Sequence, residues 1–296
     1  MPFLKILKFI LDHPVNNGQK IKPIMRFLRW QIGSRLVPGA VVYEWISGVK
    51  FIVRNGETGL TGNIYTGLHE FEEMSFLLHV LKSEDLFIDV GSNVGSYTLL
   101  ASGVAGANSV SFEPVPSTFK RLQQNIWINN LNNKVNLINK GVASVQGHIA
   151  FTCDNDTMNH ALADNETNEN SILVDVTSLD AVLADQSPFL MKIDVEGYET
   201  LVLDGACEIL KKDSLQAVIM ELNGSGTYYG FDESAIVRLM HGYGFDTYSY
   251  DPINRKLIHM ANKNSESGNT IFIRNKKMVE KRLQSANKIM VFEKAF

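Results

Sequence analysis

The chain has 296 residues, of which 45% are hydrophobic and 20% are charged, proportions that exclude a disordered or fibrous protein. No run approaches the roughly 18 to 20 uncharged apolar residues of a membrane-spanning helix, which excludes an integral helical membrane protein. The formal net charge is −4, yet residues 1–54 carry nine Lys or Arg against only Asp12 and Glu44. The rest of the chain is therefore acidic, which disfavours nucleic acid as a partner.

Residues 1–64 predict basic amphipathic helices and a β-hairpin cap. Apolar residues recur at helical spacing from Phe3 to Leu11, and a second basic stripe contains Phe27, Leu28 and Ile32. Such helices either pack on the protein's own body or lie on an anionic membrane surface, and both interpretations stay open. Residues 41–53 place two β-rich runs around a Gly-containing turn, which is typical of a hairpin.

The apolar start of the chain also bears on localisation. Lys5 and Lys8 interrupt the apolar run and no small-residue cleavage site follows, so we expect this segment to be retained. The only cysteines, Cys153 and Cys207, are too few for a disulfide framework or a multi-thiolate metal site. We expect a cytoplasmic protein, with peripheral contact to the inner face of the membrane if the helices bind lipid.

From about Leu86, short runs rich in Val, Ile and Phe alternate with helical stretches, which is typical of an α/β protein with a parallel sheet. The predicted helices cover residues 96–105, 116–129, 198–210 and 233–241. The seven predicted strands, of which the last two suggest an antiparallel finish, cover residues 86–90, 109–113, 135–139, 189–195, 217–222, 246–250 and 270–274. This main domain is predicted over residues 65–276, followed by a C-terminal helix and tail over 277–296.

Two further features belong to this pattern. Residues 149–152 predict a short extra strand, and residues 154–170 then form a polar insertion between strand units, which favours a functional loop or lid and contains His160. Trp30 and Trp127 fall on helical stripes, so both are predicted to lie in the core.

The stretch FIDVGSNVGSYT, residues 87–98, predicts a ligand-binding turn. A strand ends near Asp89, and Gly91 and Gly95 open a loop into a helix. Glycines let the backbone turn sharply and approach a ligand, and a helix N-terminus favours an anionic group. Glu113 ends the next strand, where an acidic residue is placed to accept hydrogen bonds from ribose hydroxyls. Together these residues indicate an adenosine-bearing cofactor; a tight structural turn is the alternative.

The residues of the turn indicate which class of cofactor is favoured. Asn93 occupies the second glycine position of the dinucleotide motif and the final glycine is missing, which disfavours a closely packed pyrophosphate. A shorter ligand with an amino acid head is favoured. Its carboxylate would face the backbone from Gly91 through Ser92 and Asn93 to Gly95, its ammonium would lie near Asp89, and its ribose would bind Glu113.

The strings DVGSNVGSYT, FEP and KIDVEGYE (residues 192–199) resemble the successive signatures of FkbM-type S-adenosylmethionine-dependent methyltransferases. The resemblance covers roughly residues 65–250. It implies a class I methyltransferase, Rossmann-like sheet of seven strands in the order 3-2-1-4-5-7-6, with S-adenosyl-L-methionine as cofactor. It also implies methyl transfer to a hydroxyl of a sugar, glycolipid, polysaccharide unit or polyketide.

The strand that carries KIDVEGYE predicts the catalytic groups. If it neighbours the strand ending in Asp89, Asp194 and Glu196 lie beside the reactive end of the cofactor, because ligands bind beyond the carboxyl ends of parallel strands. We predict Asp194 and Glu196 as catalytic carboxylates and His160 as the next candidate base, with Asp194 also contacting the cofactor. A divalent ion between Asp194 and Glu221 is the less favoured alternative, and no metal is predicted.

The sequence thus predicts an O-methyltransferase with a small-molecule, glycan or glycolipid acceptor. Two alternatives stay open. One is a nicotinamide-dependent oxidoreductase on a similar sheet, and the other is a nucleoside-binding protein without catalytic activity.

Overall fold

A computed structural model describes residues 3–152, 160–162, 171–265 and 268–296. Its helices are α1 (Phe3–Asp12), α2 (Ile21–Leu36), α3 (Thr58–Thr66), α4 (Phe71–Val80), α5 (Ser96–Leu99), α6 (Pro116–Ile128), α7 (Leu179–Leu183), α8 (Glu199–Asp204), α9 (Cys207–Lys211), α10 (Glu233–Gly242) and α11 (Lys276–Ser285). Short 3₁₀ turns cover Pro14–Asn16 and Ser225–Tyr229, and a π-helical turn covers Leu100–Val104.

The strands fall into one large sheet and three small ones. They are β1 (Val41–Glu44), β2 (Lys50–Val53), β3 (Leu86–Val90), β4 (Asn108–Phe112), β5 (Val135–Ile138), β6 (Gly141–Val142), β7 (Gly147–Thr152), β8 (Ser171–Thr177), β9 (Leu190–Ile193), β10 (Ala217–Glu221), β11 (Asp246–Asp251), β12 (Lys256–His259), β13 (Asn269–Ile273), β14 (Met290–Val291) and β15 (Lys294–Ala295).

The large sheet has the order β12-β11-β13-β10-β9-β3-β4-β5 within the described residues. Strands β5, β4, β3, β9 and β10 are parallel, whereas β13 is antiparallel to both β10 and β11. The predicted α/β class with a mostly parallel sheet is therefore confirmed. The predicted count of seven strands is one too low, because the short edge strand β12 buries only Leu257 and so lacks an alternating apolar pattern.

Both faces of the sheet are covered, as expected for parallel strands. Along β3, Phe87 enters the hydrophobic core on one face, with α4 and α11, while Ile88 enters the core on the other, with α8 to α10. In β9, Leu190 and Met191 divide between the two cores in the same way. This packing holds the carboxyl ends of β3 and β9 side by side.

The N-terminal elements form a third core against α6 and the end of β5. Ile10 of α1 and Phe27 and Trp30 of α2 are buried there with Phe51 of the β1–β2 hairpin. The backbone N–H of Ile52 donates to Asn125 Oδ1 at 2.7 Å, which fixes the predicted hairpin on α6. In the described residues, no helix combines the length and apolar character needed to cross a bilayer.

Several local predictions need correction. Trp127 is 70% exposed rather than in the core, because the neighbouring Ile126 occupies the inward face of α6. The predicted helix over 198–210 is two helices, α8 and α9, separated at Gly205, where an added Cβ would lie 2.2 Å from the carbonyl oxygen of Ala143. The tail after α11 forms the β14–β15 hairpin.

A second sheet was only partly predicted. Residues 149–152 were expected as a short strand, and β7 contains them, but β7 also pairs antiparallel with β8, which was not predicted. Most of the polar insertion over 154–170, including the predicted lid, lies outside the described residues.

Candidate active site

The carboxyl ends of β3 and β9 meet at a cavity of about 230 Å³. The two strands are adjacent, and the backbone N–H of Asp194 donates to the carbonyl oxygen of Val90 at 3.0 Å. The chain leaves β3 toward β4 and returns to β9 on its other side, so the cavity lies where the strand order reverses. It is lined by seven of the predicted site residues, namely Asp89, Gly91, Ser92, Asn93, Glu113, Asp194 and Glu196.

The glycine turn touches the neighbouring loop through backbone atoms. Gly91 has φ +79°, and an added Cβ would lie 1.8 Å from the carbonyl oxygen of Asp194. Asn93 is also left-handed, with φ +50°. Ser92 Oγ donates to the carbonyl oxygen of Phe112 at 3.0 Å, which ties the turn to the end of β4. Only a glycine fits position 91, because it combines positive φ with this close approach.

Gly95 does not line the cavity. Its φ is +94°, and an added Cβ would lie 2.5 Å from Leu122 Cδ1 of α6. The structure therefore gives Gly95 a packing role at the start of α5, in place of the predicted position beside the ligand.

Glu113 stands at the tip of β4 with both carboxylate oxygens engaged. Oε2 accepts the backbone N–H of Asn93 at 3.0 Å, and Oε1 accepts that of Val115 at 2.9 Å. Burial raises the pKa of Glu113 to about 7, although these two hydrogen bonds oppose the shift. A carboxylate has about four acceptor positions, so Glu113 keeps capacity for hydroxyl donors from the cavity.

Asp89 is buried beneath the turn. Its Oδ2 accepts the hydroxyl of Thr98 at 2.6 Å, and that hydroxyl also lies 2.7 Å from Ser111 Oγ. Burial raises the pKa of Asp89 to about 6. Asp89 thus joins β3, β4 and α5 and also presents an acceptor to the cavity.

A buried cation organises the opposite wall. Lys192 Nζ donates to Asp194 Oδ2 at 2.5 Å and lies 4.6 Å from the centre of the Tyr97 ring. Burial disfavours the ammonium, but the charges of Asp194, Glu70 and Asp89 together with the hydrogen bond to Asp194 outweigh burial and raise the pKa of Lys192. Burial likewise opposes ionisation of Asp194, and the Lys192 charge nevertheless holds its pKa below the usual range. Lys192 and Asp194 therefore form an ion pair.

Glu221, at the tip of β10, differs from Asp194 because its pKa is raised rather than lowered. Burial and the neighbouring Asp194 charge raise the pKa of Glu221 to about 9, and the two carboxyl groups share a hydrogen bond. At neutral pH, Glu221 is therefore protonated and donates to Asp194. This arrangement leaves Asp194 ionised between two donors.

Glu196 lies in the loop after β9 with φ +54°, a left-handed conformation that is costly for a residue with a Cβ. Burial, followed by the Asp194 charge, raises the pKa of Glu196 to about 7. Glu199 fixes the loop, because its Oε1 accepts the backbone N–H groups of Val195 and Gly197, each at 3.2 Å. The strained loop thus presents Glu196 to the cavity with a pKa near neutrality.

His160 is not among the residues that line the cavity. Its backbone pairs with Thr152, and its ring lies 5.6 Å from that of Tyr228, centre to centre. It is nevertheless close enough to Glu196 for its charge to lower the pKa of that carboxyl group. His160 thus lies outside the cavity lining but within electrostatic reach of Glu196.

Sequence reasoning missed a group from upstream of the sheet. Glu70 lines the cavity just before α4, where its Oε2 accepts the Tyr97 hydroxyl at 2.6 Å and its Oε1 accepts Asn269 Nδ2 at 2.7 Å. Lys140, after β5, also lines the cavity and was missed. Neither residue follows a glycine motif, and Glu70 lies at no strand tip, so the sequence offers little signal for them.

The carboxylates of Asp194, Glu196 and Glu221 lie close together, with one oxygen of each within 4.8 Å of the others. This spacing suits a divalent cation. An ion bound there would compete with the Lys192 ammonium, which already pairs with Asp194.

The mostly parallel sheet, with its cavity at the carboxyl ends of the strands, is that of a Rossmann-like methyltransferase. Residues 89–247 match the methyltransferase FkbM domain, and the chain belongs to this family. It is 30% identical over 178 residues to the hexuronic acid methyltransferase AglP of Haloferax volcanii, a match that covers 58% of this chain and 67% of that protein.

Solved structures with a related architecture are more distant. An S-adenosylmethionine-dependent methyltransferase from Agrobacterium tumefaciens is 11% identical with a TM-score of 0.42, covering 70% of this chain and 59% of that chain. An rRNA methylase from Streptococcus thermophilus is 14% identical with a TM-score of 0.39, covering 68% of this chain and 91% of that chain.

Proposed function

We propose that this protein transfers a methyl group from S-adenosylmethionine to a hydroxyl of a sugar, and that a hexuronic acid is the first acceptor to test. The observation that carries the proposal is the convergence, on one cavity, of a glycine turn, a ribose-facing carboxylate and a cluster of acidic side chains. Family membership and the 30% identity to a hexuronic acid methyltransferase support the same reaction.

The residues present fit the cofactor by their chemistry. The N–H groups of Gly91, Ser92 and Asn93 already donate to the carbonyl oxygen of Phe112 and to Glu113, so the turn shapes the cavity rather than binding the carboxylate of the cofactor. Glu113 keeps acceptors for ribose hydroxyls, and Asp89 lines the cavity as an acceptor for an ammonium group. When bound, S-adenosylmethionine supplies a methyl group on a positively charged sulfur. Ionised Asp194 and the neighbouring carboxyl groups make the wall of the cavity suitable for that charge.

Asp194 and Glu196 differ in protonation behaviour, and we assign them different catalytic roles. Asp194 is ionised but held by Lys192 and Glu221, so it is a weak base that contributes fixed negative charge. Glu196 has a pKa of about 7, close to the pH at which a general base is most effective. In this proposal Glu196 accepts the proton that the acceptor hydroxyl loses. His160 lies outside the cavity lining, within electrostatic reach of Glu196.

An aromatic wall beside Glu196 is suited to a sugar ring. Tyr198 lines the cavity, its ring lies 5.2 Å from that of Tyr229, and Tyr229 in turn contacts Tyr228 at 4.9 Å, centre to centre. Tyr228 remains half exposed, so one ring is available to the C–H face of a sugar. The Tyr229 hydroxyl donates to the carbonyl oxygen of Ala161, which anchors this wall to the segment after β7.

The test begins with the cofactor. S-adenosylhomocysteine should raise the melting temperature and NAD should not; the reverse result would reject methyl transfer in favour of an oxidoreductase. Glu113→Ala should weaken S-adenosylhomocysteine binding, because it removes the ribose acceptor.

Turnover is then measured by mass spectrometry as a gain of one methyl group on a glucuronic acid glycoside. Asp194→Asn and Glu196→Gln should each retain S-adenosylhomocysteine binding while lowering turnover about 10²- to 10⁴-fold. Glu208→Gln, an exposed glutamate of α9, is the matched control and should leave turnover unchanged. Full turnover in both site variants would reject the catalytic assignment, and stable cofactor binding with no transfer to any uronic acid or neutral sugar would favour a binding protein.

A further inference from the structure

Helix α2 has apolar residues on two opposite sides. Phe27 and Trp30 face inward, and the Phe27 ring lies 5.1 Å from that of Tyr65 in α3. The other side faces solvent and consists of Ile21, Met25, Leu28, Ile32 and Leu36, which are 77%, 58%, 39%, 59% and 76% exposed. We call these five residues the outer stripe.

The spacing of the outer stripe places its members in one line. Steps of three or four residues return to the same side of a helix, so the five side chains form a continuous band about 22 Å long. Single exposed apolar residues are ordinary on a soluble protein, but an aligned band of five is not. Packing within the described part of the chain accounts for the inner side of α2 and leaves the outer stripe facing solvent.

Basic side chains flank the outer stripe. Lys22 and Arg29 are exposed along one edge and Arg35 along the other, while Lys5 and Lys8 are exposed on α1, which packs against α2. Residues 1–54 contain nine Lys or Arg and two acidic residues, whereas the whole chain has net charge −4. The exposed apolar band is thus bordered by basic side chains, of which Lys22 pairs with Glu293.

This charge distribution distinguishes two candidate partners for the outer stripe, a second copy of the chain and a membrane. A symmetric dimer through the outer stripe would place the same basic surface on both partners, which repels. A bilayer with anionic headgroups complements both the apolar band and the basic edges. We propose that the outer stripe docks the protein onto an anionic membrane surface.

Docking would bring the cavity close to the bilayer. The inner side of α2 packs on α3 through Phe27 and through Gln31, whose Nε2 donates to the Tyr65 hydroxyl at 2.8 Å. Gly59, in the first turn of α3, lines the cavity. One helix therefore separates the docking surface from the edge of the cavity, which suits an acceptor held at the membrane.

The experiment is flotation of the full-length protein with vesicles, which needs neither cofactor nor acceptor and so is independent of the proposed function. Vesicles of equal phosphatidylglycerol and phosphatidylcholine are compared with phosphatidylcholine alone. Wild type should float with the anionic vesicles at least about tenfold more than with the neutral ones, and 0.5 M NaCl should reduce this binding.

The variant Ile21→Gln/Ile32→Gln/Leu36→Gln should lose binding about tenfold or more, because it removes three apolar groups without touching the core. The matched control Val145→Gln/Leu173→Gln/Ile253→Gln replaces residues of similar exposure (68%, 71% and 67%) elsewhere and should float like wild type. Unchanged melting temperatures show that each variant is folded.

Three outcomes would overturn the proposal. Wild type does not float with anionic vesicles, or the control loses as much binding as the stripe variant. The third is that light scattering finds a wild-type dimer that the stripe variant converts to monomer while vesicle binding is absent, which would assign the stripe to a second copy of the chain.

Discussion

The two walls of the cavity are built in different ways. On the glycine side, after β3 and β4, polar groups are satisfied mainly by the backbone, as in the pairing of Glu113 with the N–H groups of Asn93 and Val115. On the charged side, after β9 and β10, side chains satisfy one another, with Lys192 and Glu221 both bound to Asp194. Hydrogen bonds to the backbone fix the shape of the glycine side, whereas contacts between ionisable side chains set their protonation states on the charged side.

The difference has a physical consequence for what each wall tolerates. A backbone-built wall fails when a side chain is added, because two loops already touch there. A wall of coupled charges fails when one charge is removed, because the partners remain buried without compensation.

Gly91→Ala should destabilise the protein by about 3 to 5 kcal/mol. The new Cβ would meet the Asp194 carbonyl oxygen at 1.8 Å, and φ is +79°. Urea denaturation measures the change. Gly224→Ala is the matched control, since φ is +98° but nothing lies within 4 Å, and it should cost only about 1 kcal/mol. Equal losses would mean that contact between the two loops is unimportant.

Lys192→Met should cost about 3 kcal/mol at pH 7, because it leaves Asp194 half-buried without its cation. The loss should shrink at pH 5, since the uncompensated carboxyl group is then more easily protonated. Lys211→Met removes an exposed partner of Glu208 and should leave the free energy of unfolding nearly unchanged. Free energies of unfolding at both pH values test this, and a pH-independent loss would contradict the charged description of this wall.

Glu113→Gln should flatten the pH dependence of S-adenosylhomocysteine binding. Burial raises the pKa of Glu113 to about 7, so below pH 7 the free protein holds a proton that hydroxyl binding must release. Wild-type affinity should therefore fall about tenfold from pH 8 to pH 6. Titration calorimetry at each pH measures the affinity of both proteins for S-adenosylhomocysteine. In the variant, Asp89, with a pKa of about 6, should leave a smaller pH dependence of that affinity. Parallel pH profiles for variant and wild type would be inconsistent with a ribose role for Glu113.

Tyr228→Ala should raise the KM for a sugar acceptor about fivefold with little change in kcat, since one aromatic contact contributes about 1 kcal/mol. Trp127→Ala, which removes an exposed ring from α6, should leave both constants unchanged. Steady-state kinetics on a glucuronic acid glycoside measure KM and kcat for both variants. An effect on kcat alone would place Tyr228 with the reacting groups rather than the acceptor wall.

The glycine wall was the more predictable of the two. Gly91, Asn93 and Glu113 are readable because positive φ, close approach and a strand tip each restrict the residue type. Gly95 shows the limit of that reasoning: its glycine is required by Leu122, a contact that depends on how α6 packs. A local string identifies the need for glycine but not which neighbour imposes it.

The charged wall was predicted in outline only. Asp194 and Glu196 follow from one strand tip, but their different protonation states arise from Lys192, Glu221 and burial, which tertiary structure supplies. Glu70 lies well before the sheet begins in the chain, so no spacing connects it to the site. The sheet class was likewise readable from alternating apolar runs, whereas β12, a short edge strand that buries one side chain, was not. Strand β8 was missed although it is the seven-residue central strand of the second sheet and buries Val174 and Val176.

The position of β13 has a consequence for biosynthesis. This strand lies between β10 and β11 in the sheet but follows both in the chain, and its Asn269 reaches back to Glu70. A nascent polypeptide therefore cannot join β11 to the parallel strands until residue 273 has left the ribosome. The hydrogen bond from Asn269 to Glu70 is thus made late in synthesis, after all the residues that line the cavity have emerged.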